Sequence, residues 1–156
     1  TKKSGSSQTF SFRVQFGNVR LYRFLERIGI TAKKSKTLGG GAVPRKYIFD
    51  FLQGHFDGDG TFYSYWDPRW KSSFMFYTVF ISASRAHLDW IRNILHGMLK
   101  IKGHMTHDGK KSTHHLKYAK NESLKILQKM YYNADVPCLR RKRLKVERTL
   151  SKNKII

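Results

Sequence analysis

The sequence predicts an α+β fold in which antiparallel strand pairs alternate with helices. Three observations carry that expectation. Two segments, about 61–82 and 101–118, each read as two strands joined by a turn. Amphipathic runs with apolar residues at helical spacing precede, separate and follow them. A hydrophobic fraction of 40%, with 14% aromatic residues, gives the 156-residue chain enough apolar material for a packed core.

Each element has its own local reason. In TFSFRVQFG (9–17), Phe10, Phe12, Val14 and Phe16 alternate as in a strand. NVRLYRFLERIGI then places Leu21, Phe24, Leu25 and Ile28 at helical spacing, with Asn18 as the cap. A basic, then glycine-rich connector fills 31–42. Pro44 suits the first turn of a helix running through Tyr47, Ile48, Phe51 and Leu52, which Asp57-Gly58-Asp59-Gly60 should stop. Strands follow over 61–70 and 74–82, with a turn at Lys71–Ser73. Ser84 caps an amphipathic helix over 84–99, in which Trp90 reads as core, and a hairpin spans 101–118 with HDGKKS as its turn. NESLKILQKMYY forms another helix, and a last, basic one begins behind Pro137. The chain thus divides into 1–42, a partial unit plus connector, and 43–156, a full one.

Composition narrows the partner. Lysine and arginine number 31 against 10 acidic residues, a net charge of +21, which points to a polyanion and above all to nucleic acid. No apolar run reaches the ~18 residues of a membrane span, and the basic segments are broken by aromatics and turns, so no membrane partner is expected. The single cysteine, Cys138, excludes an internal disulfide and a cysteine-based zinc cluster, and an intracellular location is expected. His104, His107, His114 and His115 have neither the tight helical pair nor the cysteines of a zinc site, so surface or DNA-facing positions are expected. Residues 16–36 also resemble 118–145 in their order of strand end, short helix, loop and basic cluster. Phe16 aligns with Tyr118, Leu25 with Leu127, Ile28 with Met130 and, after an insertion, Lys34 with Lys142.

The stretch LQGHFDGDG (52–60) poses a physical question. A helix C-terminus already disfavours anions, yet two aspartates sit there in a very basic chain. A bound cation would resolve the conflict. The stretch resembles the nine-residue motif that names the LAGLIDADG homing endonucleases: Leu52, Gly54, Asp57, Asp59 and Gly60 match, Phe56 is a usual variant, and Gly58 stands for Ala. The order of elements over roughly 9–150, ending in the basic CLRRKR, is similar too.

That resemblance implies an αββαββα repeat with a saddle-like, DNA-binding antiparallel sheet. It implies site-specific cleavage of double-stranded DNA with Mg2+ or another divalent cation, in the service of intron or intein mobility. Asp59 would be the metal ligand, with the Gly58 carbonyl beside it, and Asp57 would be structural or capping. Gly54 would let two motif helices approach closely. Lys142, and Lys34 in the partial copy, would stand near the scissile phosphate. Oxygen donors and few of them suit magnesium, which keeps several waters.

A twisted β-ribbon fits the major groove, which makes the hairpins the expected readers of DNA. Alternation puts Tyr63, Tyr65, Asp67 and Arg69 on one face, and Thr78, Phe80 and Ser82 on another opposite a core-like Val79 and Ile81. His115 and Lys117 flank core-type Leu116. Arg69, Lys71, Lys110, Lys111 and Lys117 are candidates for phosphate or base contacts, joined by Arg140 and Arg141 of the basic cluster. No second motif helix precedes residue 43, so a complementary half or self-association is expected, through a helix presenting Phe51, Leu52, Gly54 and Phe56. The alternative is a non-cleaving binder on the same fold, either a DNA-binding regulator or an intron-RNA maturase.

Overall fold

Asn18 has an extended backbone, and its side chain accepts the Leu21 N–H at 2.9 Å, which starts α1 (Val19–Arg27). The computed structural model describes residues 15, 17–30, 36–109 and 112–152. The strand expected at 9–17 falls outside them except for Gln15 and Gly17, and Lys34, Lys110 and Lys111 lie outside as well. Pro44 is followed by a 3-10 turn, Arg45–Tyr47, so α2 runs Ile48–Gly58 and starts later than the proline suggests.

The remaining elements are β1 (Thr61–Trp66), β2 (Phe74–Ser82), α3 (Arg85–Leu99), β3 (His104–Asp108), β4 (Thr113–Ala119), α4 (Lys120–Met130) and α5 (Arg140–Lys152). Ser84 caps α3 as expected by accepting the His87 N–H, and Lys100 ends it in the left-handed region at φ 56°. The strands form one antiparallel sheet ordered β1-β2-β4-β3. The fold is therefore α+β, with helices packed on one face of a four-stranded sheet. From α2 onward the order is helix, two strands, helix, two strands, helix, with α5 appended.

The core fills the space between helices and sheet. Ile48, Leu52 and Phe56 recur every four residues along α2 and meet Phe62, Phe76 and Phe80 of the sheet. Leu88, Ile91 and Leu95 of α3, Leu116 and Tyr118 of β4, and Ile126, Leu127 and Met130 of α4 join it, with Phe74, Ile101 and Val146 completing the cluster. Each such side chain contributes about 1.5–3 kcal/mol on burial. Trp90 packs against this core, edge-on to Phe51 at 5.5 Å.

Three expectations need correction. First, β1 ends at Trp66 rather than residue 70. Pro68 has no N–H to donate to a ladder, and the Asp67 carboxylate accepts the Arg69 N–H at 2.9 Å, turning the chain there. Second, the faces of β2 are reversed. Phe74, Phe76 and Phe80 take the side of the main core and carry Thr78 with them, fully buried, while Val79 and Ile81 take the other side, where Val79 is buried as expected and Ile81 partly so. A strand turns as a unit, so three phenylalanines outweigh one threonine. Ser82 shares that side, where its Oγ accepts the Ser84 N–H at 3.0 Å. Thr78 and Ser82 are therefore not on the open surface of the sheet. Third, Leu52 and Phe56 pack within this chain and do not wait for a partner.

The helix α1 is the exception to this packing. It buries no residue, and Leu21 and Phe24 remain 37% and 55% exposed. In the repeat alignment, Leu21, Phe24, Leu25 and Ile28 lie over Ser123, Ile126, Leu127 and Met130 of α4, all four of them buried.

Candidate functional site

The end of α2 is held in place by the start of α5. Asp57 Oδ2 accepts the Leu139 N–H at 2.7 Å, the residue just ahead of α5, where a carboxylate is electrostatically welcome. In the opposite sense, Lys142 Nζ donates to the carbonyls of Phe56, of Asp57 at 2.9 Å and of Gly60 at 2.6 Å. A cation on the last carbonyls of a helix complements its dipole. Partial burial, and then Arg141, keep the Lys142 ammonium below its ordinary pKa, with Asp57 and Asp59 working the other way. Gly60 permits the tight exit, since a Cβ there would stand 2.8 Å from the Phe56 backbone.

Asp59 differs from Asp57 in every respect. It is exposed at the C-cap of α2, and no group among the described residues bonds its carboxylate. The exposed Gly58 precedes it, and its carbonyl is not among those that Lys142 holds. Asp59 opens onto a groove of about 820 Å3 between α2, the Gly40–Val43 connector and Ile28–Ile30 behind α1. Gly54 and Asp50 line the same groove, and a Cβ on Gly54 would meet nothing within 4 Å. Among the described residues the space beside Gly54 is therefore open.

The groove wall also carries a histidine pair. The His55 and His87 rings stack 5.2 Å apart, and His87 stacks on Trp90 at 5.6 Å. Burial, then His87, hold His55 down to about 4, so it is neutral at pH 7. His87 is also lowered by burial, and its Nδ1 lies 2.9 Å from the Gly39 carbonyl oxygen.

The open face of the sheet is an aromatic and basic surface. Tyr63 and Tyr77 stack at 5.2 Å, and Tyr65 and Tyr77 lie nearly parallel at 6.2 Å. A side-chain hydrogen bond with Tyr65, followed by burial, raises the Tyr77 hydroxyl pKa. The register places Val79, Lys117 and His104 across one row, and Ile81, His115 and Thr106 across the next. His107 and His114 face each other on the other side, with ring centroids 4.6 Å apart. The four histidines are thereby split two and two across the sheet.

Among the residues that the sequence singled out, Tyr63, Tyr65, His115 and Lys117 share the open face. Arg69 and Lys71 sit in the β1–β2 turn, where Arg69 pairs with Asp67 at 3.3 Å and stays 81% exposed. Arg140 and Arg141 occupy the exposed first turn of α5, a position where the helix dipole gives cations no advantage. Asp59 and Gly54 line one groove, Gly58 is exposed next to Asp59 but is not part of the lining, and Lys142 stands behind the helix end. Sequence reasoning missed Tyr77, whose signal was the cross-strand pairing with Tyr63. It also missed the His55–His87 pair.

Oxygen donors at the groove suit a hard cation, but sparsely. Asp59 offers one uncommitted carboxylate, Asp57 is engaged by α5, and no group of three or more His, Cys, Asp or Glu among the described residues is arranged to hold a metal. No protein-family model matches the chain, and no curated protein matches it either.

Proposed function

We propose that this chain is a LAGLIDADG-type repeat of a homing endonuclease, preceded by the tail of a first repeat, and that it takes part in site-specific cleavage of double-stranded DNA. The observation that carries the reading is the division of labour at the end of α2. Asp57 is bonded into the fold, while Asp59, two residues on, is exposed and unbonded beside an open groove. A carboxylate left there by a chain of net charge +21 has a use if it helps hold a cation against a polyanion.

Asp59, with the Gly58 carbonyl, would hold one side of a Mg2+ site. The metal supplies activation of water and stabilisation of the leaving oxygen. Lys142 positions the helix end that presents Asp59, and it lies close enough to the site to influence charge there. The open sheet face supplies the DNA-binding surface through Tyr63, Tyr65, Tyr77, His115 and Lys117, with Arg69 and Lys71 at the hairpin turn and Arg140 and Arg141 as phosphate contacts. A complementary half is part of the reading. The bare face of α1 and the unpacked Gly54 are the surfaces that it would cover.

The alternative, a non-cleaving DNA regulator or RNA maturase, draws support from the same sparse donor set, since one carboxylate is a weak metal site. Asp59→Asn separates the two readings. In the presence of a complementary half and Mg2+, the substitution should abolish duplex cutting and leave affinity equal or tighter. Equal cutting by both forms would overturn the assignment of Asp59, and absence of cutting by either would favour the binder.

A further inference from the structure

The face of α5 turned toward the end of β1 carries an unpaired cationic stripe. Arg141, Lys145, Arg148 and Lys152 recur at helical spacing, all four are exposed, and none forms an ion pair among the described residues. Arg143, round the helix, is by contrast bonded to Glu147 at 2.8 Å. The stripe forms one wall of a groove of about 590 Å3, whose other wall is Ser64, Tyr65, Trp66 and Phe74. Trp66 is 58% exposed, and its ring is braced against Phe74 with centroids 4.9 Å apart. Ser64 Oγ lies 3.4 Å from Thr149 Oγ1, which fixes α5 beside β1 on the helix-packed side of the sheet. Because side chains alternate, Ser64 and Trp66 lie on the side of the sheet opposite Tyr63 and Tyr65, and the groove meets the proposed duplex surface only at its border, through Tyr65 and Arg141.

We infer that the groove between α5 and the end of β1 is a second nucleic-acid site, which takes a single strand. Like charges at helical spacing destabilise a helix, so the stripe burdens the fold until an anion neutralises it. From Arg141 to Lys152 it extends roughly 16 Å at about 1.5 Å per residue, the length of a few nucleotides. A backbone tracking the cations places bases toward Trp66, and one exposed aromatic beside a basic track is the arrangement by which single strands are held without sequence reading. A lipid surface fits less well. The apolar residues of α5 point inward, with Val146 buried and Leu144 and Leu150 partly so, leaving no apolar face to insert.

The test measures fluorescence anisotropy of labelled oligo(U), oligo(dT) and a duplex with the full chain. Lys145→Glu/Arg148→Glu should weaken single-strand binding at least about tenfold and leave duplex affinity within about twofold. Loss of two phosphate contacts should also reduce the slope of log affinity against log salt by about 1.4 for single strands. The milder Lys145→Gln/Arg148→Gln form, with an unchanged thermal melt, guards against a folding artefact. Trp66→Ala should weaken binding to oligo(dT) and have no effect on an abasic strand. Tighter binding of oligo(U) would assign the groove to RNA, and of oligo(dT) to DNA. Unchanged single-strand affinity, or an equal loss on duplex and single strand, would overturn the inference. Failure of the unaltered chain to bind duplex, with single-strand binding intact, would instead sink the endonuclease reading alone.

Discussion

Lys142→Met tests whether the lysine behind the end of α2 serves the fold or is held in reserve for a phosphate. The substitution keeps most of the aliphatic stem and removes three donors, which now end on the carbonyls of Phe56, Asp57 and Gly60. A hydrogen bond from a charged group contributes about 1.5–3 kcal/mol when fully buried. This site is only partly buried, so the freed carbonyls can be rehydrated and about 1 kcal/mol per bond is the better figure. The expected loss is therefore about 2–3 kcal/mol, read by urea denaturation, with a melting temperature lower by roughly 5–10 °C. Lys142→Arg keeps the charge, but a planar guanidinium cannot direct its donors at three converging oxygens, and it should fall between the two. A loss under about 0.5 kcal/mol in the Met variant would show that the cap adds nothing. The ammonium would then be held for chemistry.

The other expectations concern the same groove. Asp57→Ala should cost about 1–2 kcal/mol, because the Leu139 N–H loses its acceptor at the start of α5, whereas Asp59→Ala should be neutral or slightly stabilising, with one anion fewer at a helix C-terminus. Equal losses from the two variants would refute their separation into structural and functional acids. His55, held near 4 against an ordinary 6.5, binds its proton in the unfolded chain first, so stability should fall as pH drops from about 6.5 to 4, by about 3 kcal/mol in all. His55→Gln should lack this component of the pH curve, and superimposable curves for the two proteins would remove the buried neutral histidine from the account. Gly54→Leu should leave the isolated chain as stable as before or up to about 1 kcal/mol more so, given the open space there and the better helix propensity of leucine. The same substitution should block pairing with a complementary half in sedimentation experiments, and unimpaired pairing would show that the two motif helices do not meet at Gly54.

Much of the fold was legible because its punctuation is local. Asn18 and Ser84 announce α1 and α3 by capping chemistry that involves only residues three positions away. The faces of β2 were harder, since FMFYTVFIS is apolar on both alternations and only the packing of Phe76 and Phe80 under the helices decides between them. On α2, grouping Leu52 and Phe56 with Gly54 ignored the angle of a helix: Ile48, Leu52 and Phe56 form one stripe and Asp50, Gly54 and Gly58 another. The sequence drew attention to the end of α2 but not to how that end is supported. Nothing in the order of residues says that Lys142 reaches back to Gly60, or that His87 comes to lie on His55, because these contacts depend on how α5 and α3 pack.

The paired aspartates at the end of a helix raised the question of a cation, and the geometry halves that question. Asp57 is largely committed to the fold: its Oδ2 accepts the N–H at the start of α5 and the Lys142 ammonium stands nearby, while its Oδ1 is buried with no partner among the described residues. Asp59 is the exposed carboxylate of the pair, and the requirement for a cation falls chiefly on it. A divalent ion with near-octahedral demands gains little from one carboxylate and one carbonyl, and would be held weakly by this chain by itself. The endonuclease reading therefore commits to a second carboxylate arriving from outside, beside Gly54, together with phosphate oxygens from the DNA. That makes metal affinity a reporter of assembly. Titrated with Mg2+ or Mn2+, the isolated chain should bind only in the millimolar range or weaker, and addition of a complementary half and duplex should tighten binding at least about tenfold in the wild type but not in Asp59→Asn. Tight binding by the isolated chain, or tightening that survives the loss of the Asp59 charge, would mean that the ion is held elsewhere.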